Sequence, residues 1–372
     1  MASTTVTFAC RDCEAFMAEI KTRVAEYFAA RQLSIKATPG MVAKSVLLWA
    51  LLLVPYAAIL TLHLAPLVML GLAVVMGVAI AGIGFSVAHD ALHGAYSHRP
   101  WVNRMIGYSF DLLGANGYMW RITHNVIHHT YTNIHGIDED LEVSPLLRLS
   151  PQARHRAFHR FQHLYAPLAY TMSTLNWVFW KDFDYFRRRT LGPYEDKTHP
   201  AGEVAQLVGF KIFYLLWSIV LPLAVLHLPL WEFAIGYITM HVVAGLILGV
   251  VFQLAHVVEA TSHLVPDACG HMEHSWPIHE MYTTANFATR NALLTWYVGG
   301  LNHQVEHHLF PKTCSVHYPA LSVIVRDVAA KYGVPYLENR TFFGAVRSHL
   351  RTLRVYGRVP SPDSPLVAAV AA

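Results

Sequence analysis

Four apolar runs, each long enough to cross a bilayer, dominate what this chain can become. They fall in two pairs, about 42–64 with 66–88 and about 207–228 with 230–252, and one proline separates the members of each pair. At 1.5 Å of rise per residue each run covers about 30 Å, the thickness of the hydrocarbon core. Lipid offers the backbone no hydrogen-bond partner, so each run is expected to be a helix. Pro66 and Pro229 sit at the junctions, so each pair reads as a hairpin with almost no loop at the far surface. Composition agrees: 54% of the 372 residues are hydrophobic and 14% are charged, where an ordinary soluble domain carries about 25% charged residues. That excludes a soluble globular enzyme, and it confines disorder to the ends. The expected fold class is all-α: a polytopic integral membrane protein with four transmembrane helices in two hairpins and a cytoplasmic helical cap.

Two hairpins return the N-terminus, residues 89–206 and everything past the fourth run to one side. The 28 lysines and arginines follow that division: 5 lie in 1–41, 12 in 89–206 and 9 in 256–372, with Lys44 and Lys211 at same-side helix ends and none in the far-side turns. The positive-inside rule puts this side in the cytoplasm. The membrane is the plasma membrane for a bacterial source and the endoplasmic reticulum for a eukaryotic one. Three regions are expected: a cytoplasmic amphipathic segment, 1–40; a membrane domain, 41–345; and a C-terminal extension with a disordered tail, 346–372. Within the first, Phe16, Ile20, Val24 and Phe28 recur every four residues, the pattern of a helix with one apolar face. Residues 101–120 are apolar but short and broken by glycine, and read as interfacial or re-entrant. Cys10 and Cys13 form a CxxC without a second pair, which with Cys269 and Cys314 argues against both a disulfide framework and a zinc site.

The chemistry lies in the 24 histidines. Three groups stand out: His89 and His93; His124, His128 and His129; and His303, His307 and His308. Residues i and i+4 share a helix face, so His89 with His93 and His124 with His128 can grip one metal ion or two adjacent ones. A directly following histidine, as at 129 and 308, points about 100° away and suits a second metal. His256 closes the fourth run at the boundary that His89 occupies on the second. Imidazole suits zinc, copper, iron and nickel, but eight or more histidines exceed what one zinc takes. His241, inside the fourth run, needs a partner within the bundle. The other histidines read as ordinary polar groups.

The strings HDALHGAYS (89–97), HNVIHHTYTNIHGIDEDLE (124–142) and GGLNHQVEHHLFP (299–311), in this order around two hairpins, resemble the membrane fatty acid desaturases, and among them the front-end acyl desaturases. The resemblance spans most of residues 40–345. It implies an O₂-dependent di-iron oxidoreductase that introduces a cis double bond into a lipid or acyl-CoA chain, with front-end regiochemistry. It implies as ligands of the two irons His89, His93, His124, His128, His129, His256, His307 and His308. Gln304 stands where many relatives have histidine and would be a ligand or hold a bound water. Spacing alone nominates His303 instead, four residues before His307; the resemblance favours Gln304 and leaves His303 beside the ligands. Asp90, Asp138, Asp140, Asn302 and Glu306 are candidates to orient ligand imidazoles, whereas Glu139 and Glu142 read as an exposed acidic turn.

No His-Pro-Gly-Gly haem motif of a fused cytochrome b5 occurs, so the expected electron donor is a separate ferredoxin or cytochrome b5. The basic stretch from Arg148 to Arg189 is explained by topology, with binding of phosphates, head groups or an acidic donor as the alternative. Two rival functions remain: a hydroxylase or conjugase on the same di-iron centre, and, from another class, a zinc-dependent membrane hydrolase or receptor-like protein, which needs about three protein ligands.

Overall fold

The structure, a computed structural model, describes residues 6–9, 14–141 and 144–358. Cys10, Cys13, Glu142 and the C-terminal tail lie outside the described residues.

Among the described residues, four helices are long and apolar enough to cross a membrane: Pro39–Thr61, Pro66–Leu92, Ala201–Val225 and Leu230–His256. Each pair turns where its proline stands. The first span opens with Thr38, whose side chain accepts from the Met41 backbone N–H ahead of Pro39 in the first turn, a start signal that satisfies one otherwise unpaired donor. The first span lies about three residues earlier than the hydropathy reading and the third ends at Val225, and three boundaries shift further. The third span begins at Ala201, because its polar first turns, with Glu203 and Gln206, are helical without being apolar. The second and fourth spans run on to Leu92 and His256, so His89 and His256 belong to the last turns of spanning helices.

The second and fourth spans pack against each other along glycine. A Cβ on Gly77 would lie 2.6 Å from the Met240 carbonyl oxygen, and where the fourth span meets the helix Gln162–Thr171 a Cβ on Gly245 would lie 2.5 Å from the Thr171 carbonyl oxygen. Small residues let these backbones approach to van der Waals contact. His241 answers its burial with two hydrogen-bond partners, the Tyr214 hydroxyl at 2.7 Å and Thr174 Oγ1 at 3.0 Å.

The cap is helical with two small parallel strand pairs. Thr7–Phe8 pairs with His271–Met272, Thr7 opposite His271, and Asn286–Phe287 pairs with Glu338–Asn339. The N-terminal helix, Glu14–Ala30, buries Phe16, Ile20, Val24 and Phe28 against Val305, Leu309, Leu321 and Val325, so its apolar face serves the cap core. Pro100–Leu112 leaves Trp101 and Met105 exposed beside the membrane spans. The helix Phe342–Tyr356 runs through residue 345, where a domain boundary was expected, and buries Leu353 and Tyr356 with Tyr170 and Val257.

Candidate metal centre

Four elements bring the histidines together. The second span supplies His89, with His93 just beyond its end. The wide π-helical turn Arg121–His128 and the short helix after it supply His124, His128 and His129. The fourth span ends at His256, and the short helix Gln304–Leu309 carries His307 and His308. All eight imidazoles are buried. A second π-helical stretch, Ile83–Ala88, leads into His89; π-turns inside α-helices are frequent at functional sites because they redirect side chains by a fraction of a turn.

The eight rings form two clusters and a bridge. His89, His93, His124 and His307 offer nitrogens that all lie within 4.8 Å of one another, and so do His128, His256 and His308. Nitrogens bound to one ion at ~2.1 Å stand no more than ~4.2 Å apart, so each cluster is within a few tenths of an ångström of a ligand set. His129 sits between the two, its ring centroid 4.8 Å from that of His93, 4.6 Å from His307 and 4.4 Å from His308.

What these rings lack is as telling as what they touch. The Nε2 atoms of His93, His124, His128, His307 and His308, and both nitrogens of His129 and His256, are buried without a hydrogen-bond partner. Buried polar atoms are almost always paired, and so many unpaired nitrogens facing one another are the donor set of a metal site. Several are held from behind: His124 Nδ1 is 2.9 Å from Asp140 Oδ2, His128 Nδ1 is 3.0 Å from Asp138 Oδ2, and His308 Nδ1 is 2.7 Å from Glu280 Oε2. His307 Nδ1 meets the Tyr318 hydroxyl at 3.2 Å. A carboxylate on Nδ1 fixes the ring and the tautomer, leaving Nε2 as the free donor.

Burial drives the electrostatics. It holds His124, His129, His307 and His308 well below the ordinary imidazole range, which favours the neutral, metal-binding form. Burial acts the same way on His128, but the Asp138 carboxylate outweighs it and pushes that ring up to about 9. Glu280 is pushed up to about 8 by burial.

The other expected positions fall elsewhere. Asp90 accepts from the Cys314 thiol at 3.1 Å and from both the backbone N–H and the hydroxyl of Ser315, tying the second span to the segment after the third histidine group. Glu306 accepts from Asn286 and Tyr336 and is pushed up to about 7 by burial; Asn302 donates to Thr295 Oγ1. The three bonds to Asp90 use its Oδ2, while its Oδ1 stands 3.8 Å from His89 Nδ1; neither Glu306 nor Asn302 holds a cluster imidazole. His303 belongs to neither cluster: it stands just before the short helix, makes no side-chain capping hydrogen bond, and has its Nδ1 3.8 Å from Glu306 Oε2. Gln304 instead lines a cavity with His307. Glu139 is no exposed turn residue, since it pairs with Arg188 and accepts from the Gly192 N–H. Glu280 and Tyr318 went unmarked in the sequence, although Trp276 and Glu280, one helical turn apart, both reach the centre: the Trp276 indole donates to the His129 carbonyl at 2.9 Å.

A cavity of about 650 Å³ opens from the first cluster. Beside His89, His124 and His307 its wall is Phe110, Trp120, Tyr170, Trp177, Phe252 and Leu301, and it extends to Leu146, Met172, Phe179 and Trp180, which are exposed. Trp120 stacks on His124 at 4.4 Å between ring centroids.

An all-helical membrane fold with buried histidine clusters against an apolar cavity defines the class: an integral membrane protein with a candidate metal centre. The fatty acid desaturase family model matches residues 64–340, and the chain belongs to the fatty acid desaturase family. It is therefore an oxidoreductase. An sn-1 linoleoyl-lipid 6-desaturase of Synechocystis sp. is 37% identical over 348 residues, covering 92% of this chain and 96% of the relative. The protein of the same name from Arthrospira platensis is 35% identical, with 91% and 92% covered. An acyl-lipid (8-3)-desaturase of Physcomitrium patens is 31% identical, with 95% of this chain and 74% of the relative covered.

Proposed function

We propose that this enzyme is a front-end acyl-lipid desaturase, which sets a cis double bond between the carboxyl end and an existing double bond of a membrane-lipid acyl chain. The observation that carries the reading is the pair of histidine clusters with their unpaired buried nitrogens, the first of which opens onto an apolar cavity that reaches the surface. The proposed ligands are His89, His93, His124 and His307 for one iron and His128, His256 and His308 for the other, with His129 between them. Two irons, when bound, would supply the redox chemistry with O₂ that an unactivated methylene requires, since no side chain has the pKa to deprotonate it. The balance is two hydrogens from the chain, one O₂, two electrons and two protons, giving one double bond and two waters. The electrons come from a separate ferredoxin or cytochrome b5, and the centre faces the cytoplasm.

The protein's own part is placement. Asp138, Asp140 and Glu280 hold imidazoles with Nε2 aimed inward, and the aromatic wall excludes water from the chain to be oxidised. The test is the fatty acid profile of a host expressing the chain with a donor, beside a His128→Ala control. A new double bond on the carboxyl side, absent in the control, supports the reading. A product heavier by one oxygen makes the enzyme a hydroxylase, and purified protein with one zinc and no iron refutes the di-iron centre.

A further inference from the structure

The cavity wall is apolar over most of its extent, yet it holds one lysine. Lys181 ends the π-helical turn Trp177–Lys181 and is the only lysine or arginine among the described residues lining this cavity. Its side chain is 11% exposed, and its ammonium stands 5.9 Å from the Trp177 ring centroid and 5.1 Å from that of Tyr185. An ammonium so placed costs free energy unless acceptors meet it. Asp140 is its ion-pair partner, with Nζ 3.7 Å from Oδ1, well beyond the ~2.8 Å of a charge-assisted hydrogen bond. The other oxygen of Asp140 is already taken by His124 at 2.9 Å. Lys181 is thus only loosely held, on the wall of the channel, with donors to spare.

Reach is the second observation. Lys181, Asp140 and His124 follow in series, so the ammonium stands one carboxylate and one imidazole away from the first cluster, on the order of 10 Å at full stretch. An acyl carbonyl oxygen bound to Nζ takes up about 3 Å. Five or six carbons of an extended chain advance roughly 6–8 Å, each ~1.5 Å bond contributing ~1.25 Å. A chain gripped by its carbonyl at Lys181 therefore presents carbons near the sixth to the histidines. The neighbouring Phe179 and Trp180 are 50% and 65% exposed, an apolar rim suited to lipid.

We infer that Lys181 binds the acyl carbonyl oxygen of the substrate, ester or thioester, and fixes the double-bond position by holding the carboxyl end at a set distance from the histidine centre. This rests on the front-end reading above, because a position counted from the carboxyl end requires that end to be held. The arrangement also ties the grip on the substrate to His124 through Asp140.

The test uses iron-loaded enzyme with a ferredoxin and its reductase, in vesicles of dilinoleoyl phosphatidylglycerol or with added linoleoyl-CoA, and reads the double-bond position by mass spectrometry. Wild type gives one position. Lys181→Met spreads the product over adjacent carbons and raises KM about tenfold, the loss of one strong hydrogen bond, while Lys181→Arg restores a single position. In metal-free protein in detergent, the affinity for a linoleoyl ester falls about tenfold in Lys181→Met, and wild type shows the same loss toward an alkyl-ether analogue without a carbonyl. One unchanged position with unchanged affinity in Lys181→Met overturns the inference. If that variant does not fold or hold iron, wild type alone decides, because ether and ester lipids of equal affinity also overturn it. Product from the CoA arm alone identifies the carbonyl as a thioester and keeps the anchor. A wild type that desaturates neither substrate with a ferredoxin and, in a parallel assay, with cytochrome b5 and its reductase refutes the front-end reading, and the ester-against-ether comparison still judges the anchor.

Discussion

At the scale of single residues, the centre is governed by which atom stands behind each imidazole. Asp138 accepts from the Asn133 backbone N–H while it faces His128 Nδ1, and Glu280 accepts from Thr132 Oγ1 while it faces His308. Both carboxylates are therefore pinned before any metal arrives. Asp138→Asn and Glu280→Gln should each lower metal affinity about 10–100-fold with the fold intact, measured as iron per protein after dialysis against a graded chelator. Asp111 gives a pH prediction. Burial pushes its carboxyl up to about 7 from 3.8, so the folded state keeps a proton that the unfolded state releases. Stability should fall as pH rises from about 4 toward 7 and level off above, and Asp111→Asn, still able to accept from the Gly117 N–H, should flatten thermal melting profiles taken in detergent between pH 5 and 8. In the sequence, i, i+4 spacing marked His89 with His93 and His124 with His128, and the family resemblance supplied the other four of the eight that the structure brings together. Glu280 and Tyr318 could not be read there, because their partners His308 and His307 are met only across helix packing. Glu306 shows the converse: adjacency along the chain put it beside ligands, but its side chain joins Asn286 and Tyr336, whereas Asp90 splits its carboxylate between Ser315 and the His89 ring.

Among the helices, packing decides more than hydropathy. Gly77 and Gly245 lie where neighbouring backbones leave no room for a methyl group, so Gly245→Ala should cost about 1–3 kcal/mol through overpacking, read as a lower melting temperature and a lower yield of folded protein in detergent. The N-terminal helix makes the opposite point. Its four-residue apolar pattern was plain, but its destination was not, since an amphipathic helix can lie on lipid or on protein. The structure puts Ile20 at 0% exposure in the cap core. Ile20→Ala should therefore cost about 2–5 kcal/mol, measured by thermal melting, and vesicle binding of this segment should be unaffected. The third span was read short because a hydropathy window discards the polar turns in which Glu203 and Gln206 stand.

For the whole molecule, the two hairpins place both histidine-bearing cap segments on one side, and this topology was legible because charge and hydropathy are distributed along the chain independently of packing. A cysteine at His227, in the turn between the third and fourth spans, should react with an impermeant maleimide from the outer face only. The exposed Cys269 of the cap should react from the inner face only. The metal centre draws its donors from His89 at one extreme of the chain and His308 at the other, with His256 at the end of the last span. During synthesis the first cluster lacks His307, and the second lacks both His256 and His308, until the fourth span has entered the bilayer and the chain beyond it has folded back. With the proposed ligands, tight metal loading becomes a late event that reports completed insertion: a chain stalled before residue 300 can sit in the membrane with two hairpins formed and still lack both His307 and His308.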